Sequence, residues 1–208
     1  MIAEQPLQRF LDDLASADPT PGGGSAAAVM GAMAAALVSM VCRLTIGRKD
    51  YEEVQPQMQR ILEEAETLRQ RLTAMIAQDV QAFDTLMAAY KLPRASEAEK
   101  LARTDAIQQA LKQATDVPLE CAEACAQVVG LALRAAPIGN RAVISDAGVA
   151  SEAARAALRS AALNVHINAP SIRDAAFVAS RRERLERTLA SCAIASDKAY
   201  ETVLGRLG

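Results

Sequence analysis

The chain has 208 residues, 51% of them hydrophobic and 23% charged, with a formal net charge of −2. That length supplies one sizeable core and that balance excludes a disordered chain; without a basic stripe interleaved with aromatics, nucleic acid is not an expected partner. Only 3% of residues are aromatic and Trp is absent, so the core has to be assembled from Ala, Leu, Val, Ile and Met, which suits close-packed helices better than a sheet.

In chain order, residues from about Gln5 to Ser16 predict a short amphipathic helix. Then comes the most distinctive stretch, Pro19-Thr20-Pro21-Gly22-Gly23-Gly24-Ser25 running into Ala26-Ala27-Ala28-Val29-Met30-Gly31. From Pro19 to Cys42 there are 24 residues without one charge. Such a run is long enough to span a bilayer, but its Ala, Gly and Ser content is only weakly lipophilic, and it reads instead as a central helix from about Gly23 to Thr45, wrapped by others. Gly47 with Arg48, Lys49 and Asp50 makes the exit turn. A long helix beginning near Asp50 or Pro56 ends near Tyr90. Ser96 and Glu99 have capping-box spacing and start the next, which Pro118 is expected to restart or kink. Pro137, Gly139 and Asn140 break the chain again. A helix from about Asp146 to His166 follows, with a bend at Pro170. The last helix runs to about Leu204 on a seam of Leu185, Leu189, Cys192, Ser196, Ala199 and Val203. No period-two run competes. The expected fold is all-α: one helical-bundle domain spanning residues 1–208, with a buried small-residue helix at its centre and long amphipathic helices around it.

The four cysteines (Cys42, Cys121, Cys125, Cys192) do not look like a disulfide framework, and Glu4 and Gln5 interrupt any apolar leader. A cytoplasmic protein without a membrane segment is expected. Cys121 and Cys125 are four apart, but with a single histidine (His166) and no second pair, no metal site is expected. The lone His166 near a helix end reads as structural.

The long helix holds the sharpest chemical signal. Its inward positions, Met58, Ile61, Ala65, Leu68, Leu72, Met75, Asp79, Ala82 and Leu86, alternate three and four apart. Asp79 stands where Leu or Met belongs, and an unpartnered buried carboxylate either costs several kcal/mol or takes up a proton. Periodicity alone leaves two readings open: a general base with its pKa lifted by desolvation, or a structural residue, either a buried polar anchor paired to an Arg or capping a backbone group, or one left wet by a bend. The glycine run permits close backbone approach to a ligand and leads into helix amides that suit an anionic or carbonyl group; it also reads simply as a loop. Asp146 is most simply an N-cap. Asn164 and Asn168, four apart on one face, suit the hydrogen-bond edge of a flat heteroaromatic ring, while Asn168 equally suits capping the turn before Pro170.

Together, PTPGGGSAAAVMGAMAAALVSMVCRLTIGRKDY, the DVQAF run, GNRAVISDAGVA and AALNVHIN closely resemble the cyclodeaminase/cyclohydrolase family of folate enzymes, from about Leu11 to Val203 and in the expected order. That family contains the cyclodeaminase half of formiminotransferase-cyclodeaminases and stand-alone methenyltetrahydrofolate cyclohydrolases, and the likeness is stronger to the latter. The resemblance implies an all-α homodimer acting on a small-molecule folate, with no metal or redox cofactor. It puts the family's proton acceptor on Asp79 and its other signature positions on Gly22, Gly23, Gly24, Ser25, Asp146, Asn164 and Asn168, read here as substrate-binding. The chain departs from the pattern at Arg48, often Lys in the family, and at Asp50, often basic, which weakens the case for that corner as a grip on the substrate's glutamate tail. The implied activity is methenyltetrahydrofolate cyclohydrolase, since this chain carries no transferase domain to feed it a formimino substrate. The alternatives are a formiminotetrahydrofolate cyclodeaminase releasing ammonia, or an inactive folate-binding scaffold.

Overall fold

The computed structural model describes residues 5–208, and among them only helices and turns occur. Six α-helices follow in order: α1 (Leu7–Leu14), α2 (Gly23–Arg43), α3 (Gln55–Tyr90), α4 (Glu97–Ala135), α5 (Ile144–Asn168) and α6 (Ala175–Leu207). Single 3-10 turns lead into α3 and α5 and bridge α5 to α6. The expected all-α bundle is the fold observed.

α2 takes the central place because its side chains are small. It packs chiefly on α3 and α5, with α4 behind it. Ala27, Ala28, Ala34, Ala35, Val38 and Val41 are wholly or almost wholly inaccessible. By length and composition this is the one helix among the described residues apolar enough to cross a membrane, yet more than half of its most apolar stretch is buried inside the protein. The closeness of the packing shows at Gly31, where a Cβ would come within 2.7 Å of Cys125 Sγ and 3.1 Å of Leu72 Cδ2. α2 stops at Arg43, two residues short of the expected end, and Gly47 turns the chain with a φ of +82° that only glycine adopts without strain. Thr45 is then buried as a bracket: its hydroxyl donates to the Val41 carbonyl at 2.7 Å and accepts from the Asn140 amide at 2.8 Å.

The seam of α3 is the one its periodicity predicts. Every apolar member from Met58 to Leu86 is buried, and Asp79 alone is half-buried. α4 begins at the expected capping box, with Ser96 Oγ accepting from the Glu99 amide at 3.2 Å and the Glu99 carboxylate accepting from the Ser96 amide at 2.9 Å. One half of the expectation at Pro118 fails: α4 passes through it as a single helix without restarting. A helix-interior proline leaves the carbonyl four residues earlier without its N–H partner, and here that carbonyl, on Ala114, accepts from Asn168 Nδ2 at 2.7 Å. A side chain from α5 thus fills the gap in α4. Further along, paired contacts from Arg181 to Asp116 and from Arg184 to Glu123 tie α6 to α4. The four cysteines are free and buried.

Gly31→Ala is expected to destabilise the protein by about 1–3 kcal/mol, the usual cost of overpacking a core. Part of that loss should return in the Gly31→Ala/Cys125→Ala pair, where the sulfur is gone. Urea unfolding of the two variants checks this, and a neutral single variant would show that α2 is less tightly held than its contacts imply.

Candidate active site

Asp79 stands over the first turn of α2. The helix begins with Gly22 at the N-cap, which has no side chain to satisfy the unpaired amides there. Asp79 supplies an acceptor from α3: its Oδ2 accepts from Ser25 Oγ at 2.8 Å, and the Ser25 amide also acts on the carboxylate. Burial raises the pKa of this carboxyl above the ordinary aspartate value, against the opposing pull of the Ser25 hydroxyl and amide, which favour the anion. Desolvation wins that contest. Ser25 itself is fully inaccessible, so its hydroxyl serves Asp79 rather than a ligand.

The glycines divide by role. A Cβ on Gly24 would overlap the Asp79 carboxylate, lying 2.6 Å from its Cγ; Gly24 is small so that Asp79 can sit on the helix end. Gly22 and Gly23 instead form the wall of a cavity of about 420 Å³, together with Asp79, Asn164 and Asn168. That volume suits a small-molecule ligand. Asp79 is therefore less enclosed than the seam suggested, because one side of it opens to this cavity.

The two asparagines reach the same wall from the last turns of α5. Asn164 Nδ2 donates to the Ser160 carbonyl at 3.2 Å, and Asn168 Nδ2 to Ala114. Asn168 makes no side-chain cap on the turn that follows, so the capping reading is set aside for the bridge to α4. Asp146 lies elsewhere. It sits in the first turn of α5, half-buried, where a carboxylate complements the helix dipole; the N-cap position belongs to Val143, and Asp146 is not an N-cap. Eighteen residues separate it from Asn164, about 27 Å along the helix, and it does not line this chain's cavity. The Arg48–Asp50 corner is likewise at the far end of α2. His166 is exposed and outside the cavity.

Several lining residues escaped the sequence reading. Phe83, Met87 and Tyr90 continue the α3 face that carries Asp79, at successive helical turns, and line the cavity with it; the three–four periodicity held that information. Pro118 lines it as well, and nothing in the local sequence signals its link to Asn168. A larger, more open groove of about 830 Å³ between α3, α4 and α6 also exists. Lys112, the cation in its lining, is already neutralised by Asp174 at 2.7 Å, so the chemistry favours the smaller cavity. Among the described residues no group of three His, Cys, Asp or Glu side chains is placed to hold a metal ion.

Residues 6–187 match the family model described as formiminotransferase-cyclodeaminase. A methenyltetrahydrofolate cyclohydrolase from Methylorubrum extorquens is 53% identical over 207 residues, covering the whole of both chains. The formimidoyltransferase-cyclodeaminase of Sus scrofa is 36% identical over 188 residues, which are 90% of this chain but 35% of that protein. In structure, the formiminotetrahydrofolate cyclodeaminase of Thermotoga maritima superposes over the full length of both chains with a TM-score of 0.90 at 33% identity. The chain belongs to the formiminotransferase-cyclodeaminase family.

Proposed function

We propose that this chain is a methenyltetrahydrofolate cyclohydrolase, converting 5,10-methenyltetrahydrofolate to 10-formyltetrahydrofolate with Asp79 as the general base. The observation that carries the assignment of the base is a single carboxylate of raised proton affinity, desolvated on one side and open to a ligand-sized cavity on the other. The choice of reaction rests on the full-length similarity to a protein of that name.

The substrate's reacting carbon bridges two nitrogens as a cationic amidinium. Asp79 attracts that cation and takes a proton from the attacking water, so that a C–O bond forms and a neutral tetrahedral adduct results. The carbon–N5 bond then breaks, the proton held by Asp79 passes to N5, and the formyl group stays on N10. Deprotonation of the adduct's hydroxyl makes the formyl carbonyl, so one water is consumed and one proton is released overall. Gly22, Gly23, Asn164 and Asn168 hold the ring against the cavity wall. The scheme uses no metal or redox cofactor. The homodimer and the cytoplasmic setting belong to this proposal, and Asp146 enters it only from outside this chain's own cavity.

The competing reading is a cyclodeaminase, in which N10 attacks a formimino carbon and ammonia leaves through a related tetrahedral centre. It is favoured by the likeness to the Thermotoga maritima protein, a chain of the same extent. The higher identity to the cyclohydrolase sets the order of the two readings.

Loss of the methenyl absorbance on adding purified protein tests the proposal. Asp79→Asn should lower kcat by about 10²–10⁴-fold while leaving the fold intact, since the amide oxygen still accepts from Ser25. Ammonia release from 5-formiminotetrahydrofolate without faster methenyl hydrolysis would make the protein a cyclodeaminase; silence in both assays would make it a scaffold.

Acid inhibition should follow Asp79. The base works only when ionised, so kcat/KM should fall as pH drops through a pKa above the ordinary aspartate value. Ser25→Ala removes a donor that favours the anion, so its acid limb should move to higher pH. A limb that stays put, or moves down, would show that another group titrates.

A further inference from the structure

The two amides in the cavity each have one end fixed by chemistry. Pro118 cannot donate to Ala114, so that carbonyl takes Asn168 Nδ2 instead. A carbonyl only accepts, so the NH₂ end of Asn168 has to face α4 and its Oδ1 has to face away. The same logic applies to Asn164, whose Nδ2 is held by the Ser160 carbonyl. Neither oxygen receives a hydrogen bond from the described residues, and neither is shut away from solvent as an unsatisfied atom. With Asp79, the amide and acid side chains of the cavity thus all offer acceptors, and among the described residues no Lys, Arg or His lines it.

We infer that Asn164 and Asn168 form an acceptor pair, one helical turn apart, that reads the donor edge of the substrate ring, and that Pro118 is the positioning residue that sets the polarity of Asn168. The donors it fits are the exocyclic amine and ring N–H groups of a reduced aminopyrimidinone. The inference rests on the folate reading above and goes further, because it assigns each amide a direction and gives the helix-interior proline a purpose. Any other residue at 118 supplies an N–H to Ala114. The amide of Asn168 then loses its tether and is free to turn its nitrogen toward the ligand.

A cycle of Asn168→Ala, Pro118→Ala and the double variant tests this, with two readouts. The first is thermal unfolding. The second is equilibrium binding of tetrahydrofolate and of its analogue with methyl in place of the exocyclic amine. The wild type should prefer the amine by about tenfold, the value of one hydrogen bond to an otherwise unpaired group. Asn168→Ala should lose that preference and also lower Tm, because it leaves the Ala114 carbonyl unpaired. The double variant restores the backbone hydrogen bond, so its Tm should return to within about 2 °C of Pro118→Ala, while the ligand preference stays lost. Should Asn168→Ala unfold, the double variant gives the same binding answer in a folded background.

If the double variant regains the preference for the amine, or Asn168→Ala keeps it, Asn168 is only a brace for α4 and the inference is overturned. Methenyl hydrolysis by the wild type is run alongside. Hydrolysis with no amine preference in the wild type overturns this inference alone, whereas no hydrolysis and no tetrahydrofolate binding overturn the function beneath it.

Discussion

A carboxylate from α3 closes the N-terminus of α2, and both its chemistry and the local sequence follow from that contact. A helix that starts on three glycines has no side chain of its own to satisfy its first amides. The acceptor comes from 54 residues away, and it fits only because Gly24 leaves room for it. Held there, Asp79 is pulled two ways. The cavity wall desolvates it and favours the neutral acid, while the Ser25 donors and the helix end favour the anion. A group balanced in this manner changes charge readily when its surroundings change, which is what a proton carrier has to do.

The small residues of α2 serve the same end by a different route. Close approach of α3 and α5 to α2 sets the distance between Asp79 on one and Asn164 on the other. Gly23 faces the second of these, its missing Cβ 3.9 Å from Asn164 Nδ2, an ordinary contact distance. The tight positions are Gly24 and Gly31, where a Cβ would press on Asp79 and on Cys125, and the rigid core beneath transmits such a displacement rather than absorbing it. The Ala/Gly composition that resembles a membrane segment is the consequence of this packing.

Much of this was legible in the sequence, for identifiable reasons. Helix period, the Ser96–Glu99 capping box and the Gly47 turn are local signals, and each stands where it was read. Asp79 was legible because a charge broke a nine-member apolar seam. What local reading missed was long-range compensation. Pro118 signals a break to any rule that sees only α4, and its repair by Asn168 spans 50 residues of chain. The glycine run suggested backbone approach to a ligand, yet Gly24 answers to another side chain. Asp146 had the residue type and flanks of an N-cap, but a 3-10 turn capped by Asn140 precedes α5 and moves the helix start two residues upstream.

In the hydrolysis proposed above, an acceptor-rich cavity also explains why one carboxylate would suffice. Without a ligand, burial holds the pKa of Asp79 above the ordinary aspartate value. A bound amidinium places an opposite charge beside it and lowers its pKa, favouring the anion when a base is needed. Addition of water then consumes that positive charge at the reacting carbon. With the cation gone the proton affinity of Asp79 rises again, and in the proposed scheme the departing nitrogen then takes the proton from it. The substrate's own charge thus sets the timing of proton transfer, and a Lys or Arg in the cavity would blunt it by holding Asp79 ionised throughout. Among the described residues no cation lines the cavity, and in the proposed mechanism that absence serves the same end as the tethered amides: each leaves the charge on the substrate as the positive partner for Asp79.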